Sequence, residues 1–401
     1  MNQLHLTYIW LDGFNKLRQK VKIHNIIDTY DIFSVRLQEY LKNIDKKCRK
    51  QSDLFENLQA NIKYIPLWNY DGSSTGQASS VDSEVILVPQ VLYPTPFHYE
   101  DSPTMYRLLV LCETYLSNAT ENSLEYVPHP TNKRHQAKID YNKPMSNLSS
   151  KSETLDTDFK PLYGIEQEFF ITDNTTGFPV DYNENDIQGR FYCAVDSNLN
   201  KILDNMLSNC LSMGLNVVGS NCEVAPGQAE IQLLEYGLKA CDDLVMLRYV
   251  IIQTAIEFKY NINFDPKPLK GAWNGSGAHV NYSTLFMRSE EIMFNKYINN
   301  DIVKTPYDHI MHSISQLSDN HQKHIDCYGK GNEERLTGEH ETSSMNIFTY
   351  GVADRGASVR IPRTTFQNKY GYIEDRRPSS NFDPYVVLPL ILITTTSNLF
   401  F

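Results

Sequence analysis

Tyr163–Gly164–Ile165–Glu166–Gln167–Glu168–Phe169–Phe170 sets two acids two residues apart in a run of strand-favouring and apolar residues. Successive side chains of a strand point to opposite faces, so Glu166 and Glu168 share one face. Ile165, Phe169 and Phe170 mark the strand as substantially buried. Two carboxylates side by side there repel each other and resist desolvation. A divalent cation removes both penalties. The competing reading is a surface strand with a solvated acidic face.

Further acids lie downstream. Asn221–Cys222–Glu223–Val224–Ala225–Pro226–Gly227–Gln228–Ala229–Glu230 carries two acids either side of a Pro–Gly turn, so Glu223 and Glu230 can come from adjoining strands of a hairpin. Trp273–Asn274–Gly275–Ser276–Gly277–Ala278–His279 leads on to Asn281 and Ser283. A histidine such as His279, taken alone, is more often a satisfied core residue than a ligand. Gly371–Tyr372–Ile373–Glu374–Asp375–Arg376–Arg377 is the fourth group. Together they offer five glutamates and one histidine. Oxygen-rich ligand sets select hard cations, Mg²⁺ or Mn²⁺, and six ligands suit two metals better than one. Arg335, Arg355, Arg360, Arg363, Arg376 and Arg377 supply cations amid apolar residues. Arginine holds carboxylates and phosphates in bidentate geometry, and two metals with arginines nearby are the usual equipment of phosphoryl transfer. The competing reading is salt bridging to the same glutamates.

The rest of the chain is consistent with a globular enzyme. Its 401 residues exceed one small core, and 41% hydrophobic with 21% charged residues is not a disordered composition. A net charge of -11 argues against nucleic acid as the main partner. The seven cysteines show no CxxC pair and read as reduced thiols. Met1–Asp12 has no signal-peptide pattern, and the apolar run Tyr385–Ile393 is too short to span a bilayer. A cytoplasmic location without membrane association is expected.

Leu6, Tyr8 and Trp10 alternate with other residues and predict a strand, as do the apolar runs Val85–Leu92 and Leu108–Tyr115. His24–Asn61 is charged and helix-like and reads as an insertion. Thr120–Lys160 is polar, is broken by Pro128, Pro130 and Pro144, and reads as linker and loop. Asn198–Leu215 and Ala240–Tyr260 predict amphipathic helices.

At this point the motifs resemble a family. Trp68–Asn69–Tyr70–Asp71–Gly72–Ser73–Ser74–Thr75 is similar to the DGSST loop of glutamine synthetases. The runs from Glu166 to Glu168, Asn221 to Glu230, Phe264 to Pro268, Asn274 to Ser283, Arg335 to Gly338, Arg355 to Arg363 and Glu374 to Ser379 resemble its other signatures, in order. The wording is that of the eukaryote-type class (type II). The resemblance implies an α+β fold: an N-terminal β-grasp domain over residues 1–115 with an insertion at about 24–63, a linker and variable loop over 116–160, and a catalytic domain over 161–401 whose curved antiparallel sheet is flanked by helices. It implies a homo-oligomeric ring, typically a decamer, with each active site between neighbouring subunits. It implies ATP-dependent ligation of ammonia to the γ-carboxylate of L-glutamate through γ-glutamyl phosphate, with two Mg²⁺ or Mn²⁺ per site.

Carried over by position, the resemblance implies that Glu168, Glu223 and Glu230 hold the metal facing glutamate. Glu166, His279 and Glu374 hold the one facing the ATP phosphates. Trp273, Asn274, Gly275, Arg335 and Arg376 would hold glutamate, and Arg355 would meet both it and the transferring phosphoryl group. Asn281, Ser283, Arg360 and Tyr372 would contact ATP, Asp71 would bind ammonium and take its proton, and Glu341 would close a flap. The chain departs from the pattern at Asp354, where the family has Asn, at Leu162, where an aromatic is expected near the adenine, and at Ala272. A second, shorter insertion lies near Tyr141–Phe159. Two alternatives are a γ-glutamyl–amine ligase of the same fold, against which Asp71 argues, and an inactive relative, against which the six intact ligand positions argue.

Overall fold

The computed structural model describes residues 2–26, 58–97, 105–120, 123–143, 159–183, 185–288, 305–397 and 399. The chain divides into two compact units, residues 1–136 with 209–215, and residues 137–208 with 216–401.

In the first unit, β1 (Asn2–Leu11), β2 (Leu17–Ile26), β3 (Trp68–Asp71), β4 (Glu84–Pro94), β5 (Met105–Thr120) and β6 (Ser123–Pro128) form one sheet in the order β2-β1-β5-β4-β3, with β6 beside β5. Only β1 and β5 run parallel among these pairs. The alternation legible in β1 sends Leu4, Leu6, Tyr8 and Trp10 into one apolar cluster with Val85, Leu87, Leu108 and Val110. This is the β-grasp unit that the resemblance implied. Its boundary differs from the expected one. The segment expected as linker after residue 115 carries the end of β5, then β6, then α1 (Lys133–Tyr141). Here β5 and β6 pair as an antiparallel ribbon, with Leu116 opposite Val127. Backbone hydrogen bonds build such a ribbon without a continuous apolar run, so a polar composition hid it. Of the insertions expected at 24–63 and 141–159, residues 27–57 and 144–158 lie outside the described residues.

The second unit holds β7 (Leu162–Asp173), β8 (Val217–Cys222), β9 (Gln228–Tyr236), β10 (Tyr260–Asn263), β11 (Ala278–Ser283), β12 (Tyr350–Val352), β13 (Val359–Ile361) and β14 (Ile373–Asp375). The order is β12-β13-β14-β11-β7-β9-β8 with β10 beside β7, antiparallel except between β12 and β13. Its helices include α2 (Leu199–Met213), α3 (Gly237–Glu257), α4 (Leu285–Arg288), α5 (Pro306–Asp319), α6 (His321–Ile325), α7 (Arg363–Asn368) and α8 (Pro384–Thr396). The helices predicted at Asn198–Leu215 and Ala240–Tyr260 are α2 and α3. α3 starts three residues early, at Gly237, and stops short of Lys259, whose φ is 63°. The apolar tail is α8, largely buried. Among the described residues, no helix is long and apolar enough to cross a membrane.

β7 has two distinct faces. Tyr163, Ile165, Gln167 and Phe169 are buried on one, and Leu162, Gly164 and Glu166 are half-buried on the other. The inner face anchors the strand: Gln167 Nε2 donates to Ser380 O (3.0 Å), and Gln167 Oε1 accepts from Arg248 Nε (2.8 Å).

α5 carries a buried histidine with a measurable consequence. His309 stacks on Phe159 and meets the Phe286 ring edge-on, and among the described residues neither of its ring nitrogens has a hydrogen-bond partner. Burial pulls its pKa from 6.5 to about 3. As pH falls below 6.5, the unfolded chain takes up a proton that the folded chain refuses. Stability is therefore lost on acidification, by about 2 kcal/mol from this residue between neutrality and pH 5. His309→Phe keeps a ring in the stack and is expected to stabilise the fold by about 1–3 kcal/mol at neutral pH. It should also flatten the decline, as urea unfolding at pH 7 and pH 5 would show. An unchanged pH slope in the variant would assign the decline to other groups.

Candidate active site

Sheet register assembles the acids. Across from Glu168 on β7 stands Glu230 on β9, whose other neighbour is Asn221 on β8. One step along β7, Glu166 is flanked by Gln232 on β9 and His279 on β11. The next step sets Gly164 between Leu234 and Asn281, and Asn281 is opposite Glu374 on β14, itself opposite Arg360 on β13. Residues directly opposite in a sheet share a face, so all of these project from the open face of β7. Glu223 follows β8, where the Pro226–Gly227 turn brings the hairpin round as expected. The position of Gly227 calls for glycine twice over: its φ is 69°, and a side chain would strike Ile171 O and Pro179.

Two acidic clusters result. One ligand atom each from Glu166, His279 and Glu374 lies within 4.8 Å of the others. His279 Nδ1 is 3.1 Å from Glu166 Oε2 and 3.4 Å from Glu374 Oε1. Glu374 is fully buried, and Arg376 Nη1 donates to its Oε1 (2.8 Å). Arg360 forms a close ion pair with Glu374 Oε2, yet without hydrogen-bond geometry, so this buried oxygen has no hydrogen-bond partner among the described residues. Burial and the neighbouring Arg376 hold the His279 pKa well below its ordinary value, so the imidazole is neutral, as a ligand must be. Arg335 Nη2 donates to Nε2 (2.9 Å), which leaves the proton on Nδ1, facing Glu166; coordination of a cation through Nδ1 would require the other tautomer and the loss of that bond.

Glu168, Glu223 and Glu230 make a second acidic group, close enough to act on one another, although among the described residues only Glu166, His279 and Glu374 meet at metal-ligand spacing. All three titrate above the ordinary carboxylate range, first because they are buried. Glu223 then acts on Glu168, and Glu166 and Glu168 on Glu230. Few donors offset this: Gly277 N (2.8 Å) and Gln228 Nε2 (3.0 Å) on Glu168, Asn221 Nδ2 (2.7 Å) on Glu223, and Gln232 Nε2 (2.8 Å) on Glu230. A hard divalent cation at each group would neutralise this charge and take up Glu374 Oε2 in place of its ion pair with Arg360. The donor set, carboxylate oxygens with one neutral imidazole, fits it.

Apart from Glu374, which is buried behind the lining, these side chains floor a cavity of about 210 Å³ whose lining includes Arg335, Arg355, Arg360, Arg376 and Glu341. Arg335 is buried, and burial pushes its pKa down to about 10. It also donates to the carbonyls of Arg376 (3.0 Å) and Arg377 (3.3 Å). Its packing explains two glycines: a Cβ on Gly277 would fall 2.5 Å from Arg335 Nη2, and one on Gly275 would fall 2.7 Å from its Cγ. Arg355 Nη1 approaches Glu341 Oε1 at 3.4 Å, and both are exposed. Glu341 and its neighbour His340 both have positive φ, 62° and 53°, an uncommon conformation for such residues.

Residues 144–397 match the family described as glutamine synthetase, catalytic domain. The chain is 42% identical over 338 residues to "Glutamine synthetase N-1" of Phaseolus vulgaris, which spans 82% of this chain and 85% of that protein. It is 41% identical to "Glutamine synthetase cytosolic isozyme 1-1" of Oryza sativa subsp. japonica, again over 82% and 85%. It is 36% identical to "Putative glutamine synthetase" of Acanthamoeba polyphaga mimivirus over 97% of this chain and 93% of that one. The chain belongs to the glutamine synthetase family. It is an enzyme of the eukaryote-type class.

Most positions implied by the glutamine synthetase resemblance converge on the cavity. Asn274 lines it and accepts from Gln188 Nε2 (2.6 Å), and Trp273 beside it accepts from Lys267 Nζ through its carbonyl. Asn281 donates to Glu166 Oε1 (2.8 Å). Tyr372 is exposed, with its pKa raised by partial burial and then by Glu374 and Glu166. Ser283 is buried, and its hydroxyl accepts from Arg288 Nη1 (2.9 Å). Asp71 belongs to the first unit, whereas the residues lining the cavity all belong to the second. Asp354, the family departure, turns to its own loop: its Oδ1 accepts from Gly356 N (2.8 Å), and it does not line the cavity. Tyr192, Gln228, Gln232, His340 and Thr342 line it without having been singled out. Gln232 stands two residues beyond Glu230 on one strand, so alternation alone could have found it. Tyr192 lies in an irregular stretch with no periodic signal.

Proposed function

We propose that this enzyme joins ammonia to the γ-carboxylate of L-glutamate at the expense of ATP, by way of γ-glutamyl phosphate. The observation that carries this is an open sheet face on which Glu166, His279 and Glu374 meet at metal-ligand spacing, with Glu168, Glu223 and Glu230 nearby and four arginines lining the same cavity. Glu166, His279 and Glu374 would hold one Mg²⁺ or Mn²⁺, and Glu168, Glu223 and Glu230 the other. When bound, these ions supply neutralising charge to the polyphosphate and to the substrate carboxylate.

The chain's own residues do the rest. Arg335 and Arg376 hold the carboxylates of glutamate, framed by Trp273, Asn274 and Gly275. Arg360, Asn281, Ser283 and Tyr372 orient ATP with Glu166. Arg355 stands at the cavity with a guanidinium committed only to exposed contacts, so it is free to follow the phosphoryl group in transit. Asp71 draws in ammonium and accepts its proton, and Glu341 closes over the acyl phosphate and keeps water away. The contact between Arg355 and Glu341, long and exposed, is weak enough to open and close. A cytoplasmic homo-oligomeric ring, a decamer, completes the proposal, with Asp71 of one copy serving the cavity of a neighbour.

Formation of γ-glutamyl hydroxamate from glutamate, ATP and hydroxylamine, compared with ammonia-dependent phosphate release, tests the reaction. Amine-dependent turnover without either would favour a γ-glutamyl–amine ligase. Arg335→Lys is expected to raise the glutamate KM nearly as much as Arg335→Ala, because an ammonium lacks the bidentate fork; an unchanged KM in the Lys variant removes Arg335 from the glutamate site. Mixing Asp71→Ala with Glu168→Ala protein is expected to restore part of the activity through hybrid interfaces. Full activity in a monomer, sized by light scattering, would overturn the shared site.

A further inference from the structure

The open face of β7 does not end at the acids. Leu162, Gly164, Glu166 and Glu168 share that face, and the strands on either side extend it row by row. Beyond Glu166 comes the row of Leu234, Gly164 and Asn281. Gly164 contributes no side chain, and a Cβ there would meet Asn281 Cβ at 3.2 Å and Leu234 Cδ1 at 3.7 Å, so its flanking side chains close in over the glycine. The last row is Tyr236, Leu162 and Ser283. The face thus runs from carboxylates, past a glycine, to an aromatic.

Tyr236 is unusual in this row. Its side chain is 51% exposed, although it closes β9 and directly precedes the largely buried helix α3. Arg288 bridges the row: Nη1 donates to Ser283 O (2.7 Å) and Oγ (2.9 Å), and Nη2 to Lys160 O (2.7 Å). Its guanidinium carbon then sits 5.7 Å from the Tyr236 ring centroid. A guanidinium fixed by three bonds and a half-exposed phenol ring make a cation–aromatic surface at the end of β9. Such surfaces take planar heteroaromatic rings by stacking. From Glu166 to Leu162 is four strand residues, about 13 Å along the face. That matches the reach of an extended nucleoside triphosphate whose terminal phosphates lie at Glu166, His279 and Glu374.

We infer that Tyr236, backed by Arg288, is the stacking platform for the nucleotide base, in the row where Leu162 offers only an aliphatic floor. This rests on the proposed use of ATP at the acidic cluster. It assigns to Tyr236 the discrimination of base from bare polyphosphate.

The test uses the full-length protein and two readouts. Tyr236→Ala is expected to raise the ATP KM and the ADP dissociation constant about 10-fold or more, since base stacking on an aromatic is typically worth ~1–3 kcal/mol. Tyr236→Phe should stay near wild type, and the glutamate KM should not move. Tripolyphosphate, used as a competitive inhibitor without a base, should inhibit wild type and Tyr236→Ala equally. In Tyr236→Trp, ADP should quench the new indole fluorescence. ADP affinity unchanged in Tyr236→Ala, in a protein that still turns over ATP, overturns the platform and leaves the ATP reading standing. Equal weakening of ADP and tripolyphosphate would also overturn it, as general damage. Wild-type protein that binds no ADP overturns both.

Discussion

Arg355→Ala is expected to lower glutamine-forming turnover by ~10³–10⁵-fold, the range of an arginine that meets a transferring phosphoryl group. The geometry makes the effect specific to that step. The Arg355 side chain stands exposed at the cavity, and its pKa is raised first by Glu341. The core does not depend on that side chain, so circular dichroism and melting should match wild type. The Arg355 carbonyl does accept from Arg376 Nε (3.1 Å), but a backbone oxygen survives the substitution. Rapid-quench measurement of acyl phosphate formation should show the full loss, with ADP affinity changed far less. Arg355→Lys should recover part of the rate, because charge is kept while the fork is lost. A normal burst of acyl phosphate in Arg355→Ala would place the arginine outside phosphoryl transfer.

Asp71→Asn is expected to lower ammonia-dependent turnover by ~10²–10⁴-fold, the contribution of a positioned base. The Asp71 carboxylate ends β3 and accepts from Ser73 N (3.0 Å), Ser73 Oγ (2.6 Å) and Ser74 Oγ (3.2 Å). The Ser73 hydroxyl and amide lower its pKa, so Asp71 is ionised across the neutral range and attracts a cation. Asparagine keeps an oxygen for the same donors, so the turn should survive and only the charge is lost. Hydroxylamine is largely unprotonated at neutral pH and should bypass much of the defect. Equal losses with both nucleophiles would make Asp71 a structural turn residue.

The local parts of this site were legible in the sequence, and the non-local parts were not. Glu166 and Glu168 declare a shared face by their spacing alone, and the structure keeps that face open. Arg376 and Arg377 look interchangeable as text. In the structure Arg376 lines the cavity, while Arg377 is buried against Asp375 with bonds of 2.9 and 2.7 Å. Both lie just past β14, in a stretch of no regular period, so no pattern in the text separates them. That His279 faces Glu166 depends on the register of β11 against β7, a pairing no short window contains. β6 went unseen because a ribbon needs backbone partners more than apolar side chains. Tyr236 went unseen because the sequence drew attention to Leu162, its partner across the sheet.

The order of strands across the second sheet has a consequence for biosynthesis. Glu166, His279 and Glu374 are neighbours in space, but they leave the ribosome in widely separated order. At ~5–20 residues per second, Glu374 emerges ~10–40 s after Glu166. Until then the nascent sheet has β7, β9 and β11 but neither β14 nor the Arg376 that follows it, so its carboxylates meet without that arginine beside them. Binding at this site therefore cannot template the early sheet. A ribosome-stalled chain with residue 370 clear of the exit tunnel should retain no ADP, whereas one stalled with residue 397 clear has every strand of the face.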